Sequence, residues 1–186
     1  MTDVADELTV QEEERKTSYL ELFFDLVFVF AFTQVTALIL EDTSVAGFAR
    51  SALVLAMVWW AWSAYTWLTN AVDVESIVTR LIVLAAMTGA LFMALAVPDA
   101  YQDEAAWFAV AYFVVRVLQS ALFSWGTRHD PQELRATLKL APWFLTAALV
   151  ALVGGFVDGD LRAYVWSASI AIDVVGTLFV ASVRAG

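Results

Sequence analysis

Cysteine is missing from the 186 residues altogether, histidine occurs once, and basic residues number 10 against 20 acidic ones. Without cysteine the chain has no disulfide, no thiolate nucleophile and no cysteine metal site. His129 lies in a polar stretch with no second imidazole to join it, so a metal role is not expected. A formal net charge of −10 leaves no basic face to neutralise phosphates, which excludes nucleic acid as a partner. No phosphate-cradling glycine loop is present, and no cofactor is expected. The segment 1–18 is acidic and polar, with Asp3, Asp6, Glu7, Glu12, Glu13 and Glu14, rather than basic and then apolar. It reads as a solvated cytoplasmic tail, not as a cleavable signal peptide.

Charge of either sign is scarce, at 16% of residues, while hydrophobic residues reach 61% and the mean hydropathy is +0.74. That balance lies outside the range of soluble domains and marks a polytopic membrane protein. A hydrocarbon core of about 30 Å takes about 20 helical residues to cross. The fold class expected is therefore all-α, a transmembrane bundle of six spans near 19–40, 46–68, 76–97, 104–125, 141–157 and 161–182. Pro142 suits the first turn of the fifth span and Gly154-Gly155 its end. Residues 19–186 then form one membrane domain behind the tail.

Loop charge sets the orientation. Arg15, Lys16, Arg128, Arg135, Lys139 and Arg184 fall on the side of the N-terminus, and only Arg50 and Arg162 on the other. Lys and Arg are retained in the cytoplasm, so both termini are expected there.

Five charges remain inside the spans: Glu21, Asp25, Arg80, Arg116 and Asp173. A carboxylate at membrane depth costs about 2 to 3 kcal/mol on the lenient insertion scale, so it is normally paired or used. The topology puts Glu21, Asp25 and Arg80 in the first two turns at one membrane face, a possible triad. Arg116 and Asp173 lie at matching depths in the fourth and sixth spans and can meet near the midplane.

Helical periodicity gives each span one polar and aromatic stripe expected to face the interior. These are Glu21, Asp25, Phe28, Phe32 and Thr36; Trp59, Ser63, Thr66 and Asn70; Tyr112, Arg116, Gln119 and Phe123; and Trp166, Ser169, Asp173 and Thr177. Of the eight tryptophans, Trp67, Trp107, Trp125, Trp143 and Trp166 fall near span ends, as in an aromatic belt, while Trp59, Trp60 and Trp62 lie deeper and suit core packing.

Two uses of this interior compete. Ion pairs and hydroxyls can serve only as helix–helix glue, or the carboxylates can form a path for protons, ions or small solutes. The arginines weigh toward structural pairs or an anion site, because a guanidinium holds its neighbour ionised. No nucleophile–base set or metal-ligand set is visible, so an enzyme is not expected.

The run Glu21-Leu-Phe-Phe-Asp25-Leu-Val-Phe-Val-Phe-Ala-Phe-Thr-Gln34, then Trp59-Trp60-Ala-Trp62 with Tyr65 and Thr69-Asn70, Arg116, and Ala171-Ile-Asp173, resembles the bacterial low temperature requirement A family from about Thr17 onward. Glu21, Phe24, Asp25, Trp60, Asn70, Arg116 and Asp173 match its pattern. The resemblance implies a multi-spanning bacterial membrane protein linked by its family name to growth in the cold, with no established catalytic residue. It is to the family's N-terminal half, which makes a second copy of the chain a candidate partner beside the lipid bilayer. Phe24, Trp60, Asn70, Tyr112 and Gln119 are the candidate cavity-lining residues around the five charges. A looser likeness is to six-span cation channels with Phe-Ser-Asp in the first helix, where Phe24 takes the serine position before Asp25.

Overall fold

A computed structural model describes residues 19–69 and 76–185. The acidic tail and Asn70 lie outside the described residues, as do the side chains of Glu21 and Trp67. Six α-helices are present among those described: α1 (Tyr19–Glu41), α2 (Val45–Thr69), α3 (Ile77–Ala96), α4 (Ala105–Gly126), α5 (Pro131–Gly155) and α6 (Leu161–Ala185), with a 3₁₀ turn over Thr127–His129. Each contains a segment long and apolar enough to cross a membrane. Helix is the form such runs must take, because it satisfies every backbone polar group within the segment. No strand occurs among the described residues.

The helix boundaries have local causes. The backbone N–H of Gly47 donates to the Ser44 hydroxyl at 3.0 Å, capping α2, and the N–H of Ser44 donates to the Asp42 carboxylate at 3.0 Å. Gly159, between α5 and α6, has φ 63°, a conformation that costs a side chain but not glycine. The fifth helix corrects the sequence reading. It begins at Pro131, where a proline loses no hydrogen bond, and Pro142 sits inside it. An internal proline removes one rung of the ladder, which a membrane helix tolerates when its neighbours hold it in place. The apolar span within α5 runs over Thr137–Gly155.

The bundle is closed by α1 against α2 and α3, α3 against α4, α4 against α5, and α5 against α6, while α2 touches both α4 and α6. Small residues let the helices approach. A side chain added at Gly155 would lie 2.3 Å from the Ala109 Cβ and 2.8 Å from the Ala105 carbonyl oxygen, so α5 meets α4 nearly backbone to backbone. The Trp166 ring fills the space beside Gly154, and its indole N–H donates to the Ala151 carbonyl at 3.0 Å.

Two of the four expected interior stripes face inward for most of their length: Tyr112 and Arg116 are buried on α4 with Gln119 and Phe123 half-buried, and Trp166, Ser169 and Asp173 are buried on α6 while Thr177 is exposed. On α1 the buried line runs Phe24, Phe28, Ala31, Val35 and Leu38, leaving Thr36 exposed. On α2 it runs Val54, Met57, Val58, Ala61 and Tyr65, and Trp59 is 51% exposed. Polar content misled there, since a hydroxyl such as that of Thr66 can donate to its own helix, here to the Trp62 carbonyl at 3.2 Å. Trp166, assigned to the aromatic belt, is instead a core residue with no exposure, packed on Tyr101 and Phe108.

Candidate functional site

Arg116 stands near the middle of α4 and Asp173 near the middle of α6. The structure brings them together. Arg116 Nη2 donates to Asp173 Oδ1 at 2.5 Å, with side chains 2% and 0% exposed. Arg116 Nη1 donates to Gln119 Oε1, one turn along α4, at 3.0 Å. Phe144 of α5 lies against the guanidinium, 5.5 Å from ring centroid to the central carbon. From α2 Trp60 lies beside the Asp173 carboxyl. Tyr112, one turn before Arg116, is buried within Coulombic range of both charges. Four helices therefore contribute to one buried polar site.

Not all of its capacity is used. Tyr112 Oη, Arg116 Nε and Asp173 Oδ2 are buried without a hydrogen-bond partner among the described residues. The pair is closed by one tooth of the guanidinium fork, whereas a buried ion pair built only for strength tends to engage both. The surroundings are otherwise satisfied. Ser120 and Thr177 hydroxyls donate to the backbone carbonyls of Arg116 and Asp173, at 3.0 and 2.9 Å. The Tyr65 hydroxyl donates to the Val115 carbonyl at 2.9 Å, and Ser169 to Ala147 at 2.8 Å.

The second expected grouping is described only in part, since the Glu21 side chain lies outside the described residues. Asp25 is half-buried on α1, and the partner the structure shows for it is the Trp62 indole N–H, 3.0 Å from Oδ1. Phe32 packs edge-on to the same indole at 6.4 Å, and Phe24, buried, packs on Phe28 and Tyr65. Arg80 occupies an exposed position in the first turn of α3. An indole donor to Asp25 carried no sequence signal beyond the tryptophan cluster, because its placement depends on the rotation of α2 against α1.

A third polar group, at the loops joining α1–α2, α3–α4 and α5–α6, escaped the sequence reading, which used Arg50 only to orient the chain. Arg50 Nη2 donates to Asp160 at 2.6 Å, and Nη1 lies 3.8 Å from Asp42. The Tyr101 hydroxyl donates to the Arg50 carbonyl at 3.3 Å, and Gln102 donates to Glu41. Hydrogen bonds from Ser44, assisted by Arg50, hold the Asp42 carboxyl below the usual carboxylate range, and burial pushes the Tyr101 phenol up to about 12. A cavity of about 180 Å³ opens here between Leu38, Glu41, Asp42, Ser51 and Gln102. Arg162 is buried nearby, its Nε donating to the Val157 carbonyl at 3.0 Å. Asp160 is 110 residues from Arg50, so no local pattern foretells that contact. Among the described residues no group of three or more His, Asp or Glu is placed to hold a metal ion.

Residues 16–185 match the family described as bacterial low temperature requirement A protein. The chain is 31% identical over 166 residues to the uncharacterized protein RA0937 of Rhizobium meliloti (strain 1021), a match that covers 88% of this chain and 40% of that relative. No solved structure matches it. The alignment over nearly the whole chain, with six helices able to cross a bilayer, places this multi-pass membrane protein in the bacterial low temperature requirement A family.

Proposed function

We propose that the protein is a transporter of ions or small solutes, working in the bacterial cytoplasmic membrane with both termini inside, and that the Arg116–Asp173 pair is its central charge site. The observation that carries this reading is an ionisable pair in the middle of two apolar spans which, together with the neighbouring Tyr112 hydroxyl, keeps three buried polar atoms without partners among the described residues. Intramembrane charge is costly, and a site that leaves part of its hydrogen-bonding capacity open has a use for it. Asp25 is half-buried on α1 and suits a second position on the same path. The charge bias of the loops supports the orientation.

Purified protein in proteoliposomes tests this. Asp25→Asn is expected to abolish a proton- or ion-dependent flux while the folded yield stays near that of the unaltered chain, and Asp173→Asn to abolish it per folded molecule at a lower folded yield, because Arg116 is left buried without its partner. Absence of flux for every ion and small solute tried with the unaltered chain sinks the proposal. The second reading, a purely structural pair, is favoured by the 2.5 Å contact between two fully buried groups, and it predicts unchanged flux in both variants.

A further inference from the structure

The unpartnered atoms around Arg116 differ in chemistry, and that difference selects a ligand. Nη1 of the guanidinium is taken by Gln119 and Nη2 by Asp173, leaving Nε as a buried donor. The Tyr112 hydroxyl, one helical turn away on the same buried face of α4, is a second donor without a partner. We propose that Arg116 and Tyr112 form a binding site for a small monocarboxylate, with Asp173 as the resident competitor for the guanidinium. The inference deepens the transport reading by naming its substrate class.

A planar carboxylate matches the fork of a guanidinium, and the Phe144 ring beneath the guanidinium with the Phe108–Tyr112 stack keeps the surroundings apolar, which suits a ligand with a short carbon chain. A cation is disfavoured, because it would have to enter beside a guanidinium that is permanently charged. Charge balance fixes the pH dependence. The resident pair is neutral, so an added anion leaves one uncompensated negative charge in a low-dielectric interior. Neutrality returns when Asp173 takes up a proton, which also releases Arg116 to the ligand. The charged and titratable groups that face Asp173 are Arg116 and Tyr112 from α4; α2 presents Trp60 there, with Tyr65 toward Arg116, and α5 presents Phe144. Protonation of Asp173 is thus the step that permits binding, and binding strengthens as the pH falls.

The full chain in lipid nanodiscs, titrated with isotopically labelled formate and acetate at about pH 5 and about pH 8, tests the site. Saturable binding is expected at the lower pH, weaker by about tenfold or more at the higher, as a competing carboxylate ionises. Asp173→Asn is expected to bind equally at both, because the competitor is gone. Tyr112→Phe weakens binding several-fold, and Arg116→Gln in the Asp173→Asn background removes it. If folded wild-type protein shows no saturable binding at about pH 5, or Arg116→Gln leaves it unchanged, the proposal is overturned. Should Asp173→Asn fail to fold, wild type against Tyr112→Phe at the lower pH decides, with equal affinity overturning the site. Binding without flux in proteoliposomes would sink the transport reading and leave the anion site standing; cation flux without formate or acetate binding would do the reverse.

Discussion

At Arg116 and Asp173 the two charges are worth more as a pair than either is alone. Removing one leaves the other buried and uncompensated, which costs about 3 to 5 kcal/mol, whereas removing both leaves only a gap in an apolar interior. Arg116→Ala is therefore expected to collapse the folded fraction after heating in detergent, and the double change with Asp173→Ala to recover most of it. Losses that simply add would show that the contact carries no coupling energy. Trp62→Phe keeps the ring that Phe32 packs on but removes the donor to Asp25. A loss of about 0.6 to 2 kcal/mol is expected in the same measurement.

Between elements the tightest constraint is the α4–α5 seam. Gly155→Ala puts a methyl group 2.3 Å from the Ala109 Cβ and 2.8 Å from a backbone oxygen, and neither can yield without separating the helices. It is expected to lower stability by about 1 to 3 kcal/mol in thermal unfolding. Gly159→Ala supplies the contrast, since nothing lies within 4 Å and only its positive φ resists, so a smaller loss of about 1 kcal/mol is expected. Arg50 ties two loops through Asp160 and Asp42 and receives the Tyr101 hydroxyl on its carbonyl. Arg50→Ala keeps the backbone carbonyl that Tyr101 bonds, so it is expected to speed amide exchange in the two loops that carry Asp42 and Asp160 while the midspan of α4 stays protected. Exchange that rises in the Asp42 loop alone would show that Arg50 does not join them. How α2 faces the bundle was the element-level feature least legible in the sequence. Its apolar residues surround the helix, so the stripe chosen from Trp59, Ser63 and Thr66 had no stronger claim than the stripe through Met57, Ala61 and Tyr65 that the neighbours in fact cover.

For the molecule as a whole, the absence of cysteine makes the natural chain its own background for accessibility mapping. With the N-terminus cytoplasmic, Asp158→Cys is expected to react with a membrane-impermeant maleimide in intact cells, and Arg135→Cys only after permeabilisation. The opposite pattern would invert the topology argued from loop charge. Large exposed hydrophobics such as Phe23, Leu26, Phe92, Leu95, Leu178 and Phe179 are spread over α1, α3 and α6, as a bilayer-facing surface requires.

Span number, membrane class, family and the common depth of Arg116 and Asp173 follow from the sequence alone, because length, hydropathy and depth are counted along each helix separately. Pro142 shows the limit even there: a proline marks a helix start or an internal position according to what precedes it, and Asp130-Pro131 made the earlier start. The tertiary structure decided that Trp166 enters the core, that Asp25 meets an indole, that Arg50 gathers distant loops, and that Phe144, Tyr112 and Trp60 close around the central pair. Each of these depends on rotation about a helix axis. In a chain this uniformly apolar, rotation is set by which small residues let neighbours approach and which polar atoms find each other, and neither is written in one helix by itself.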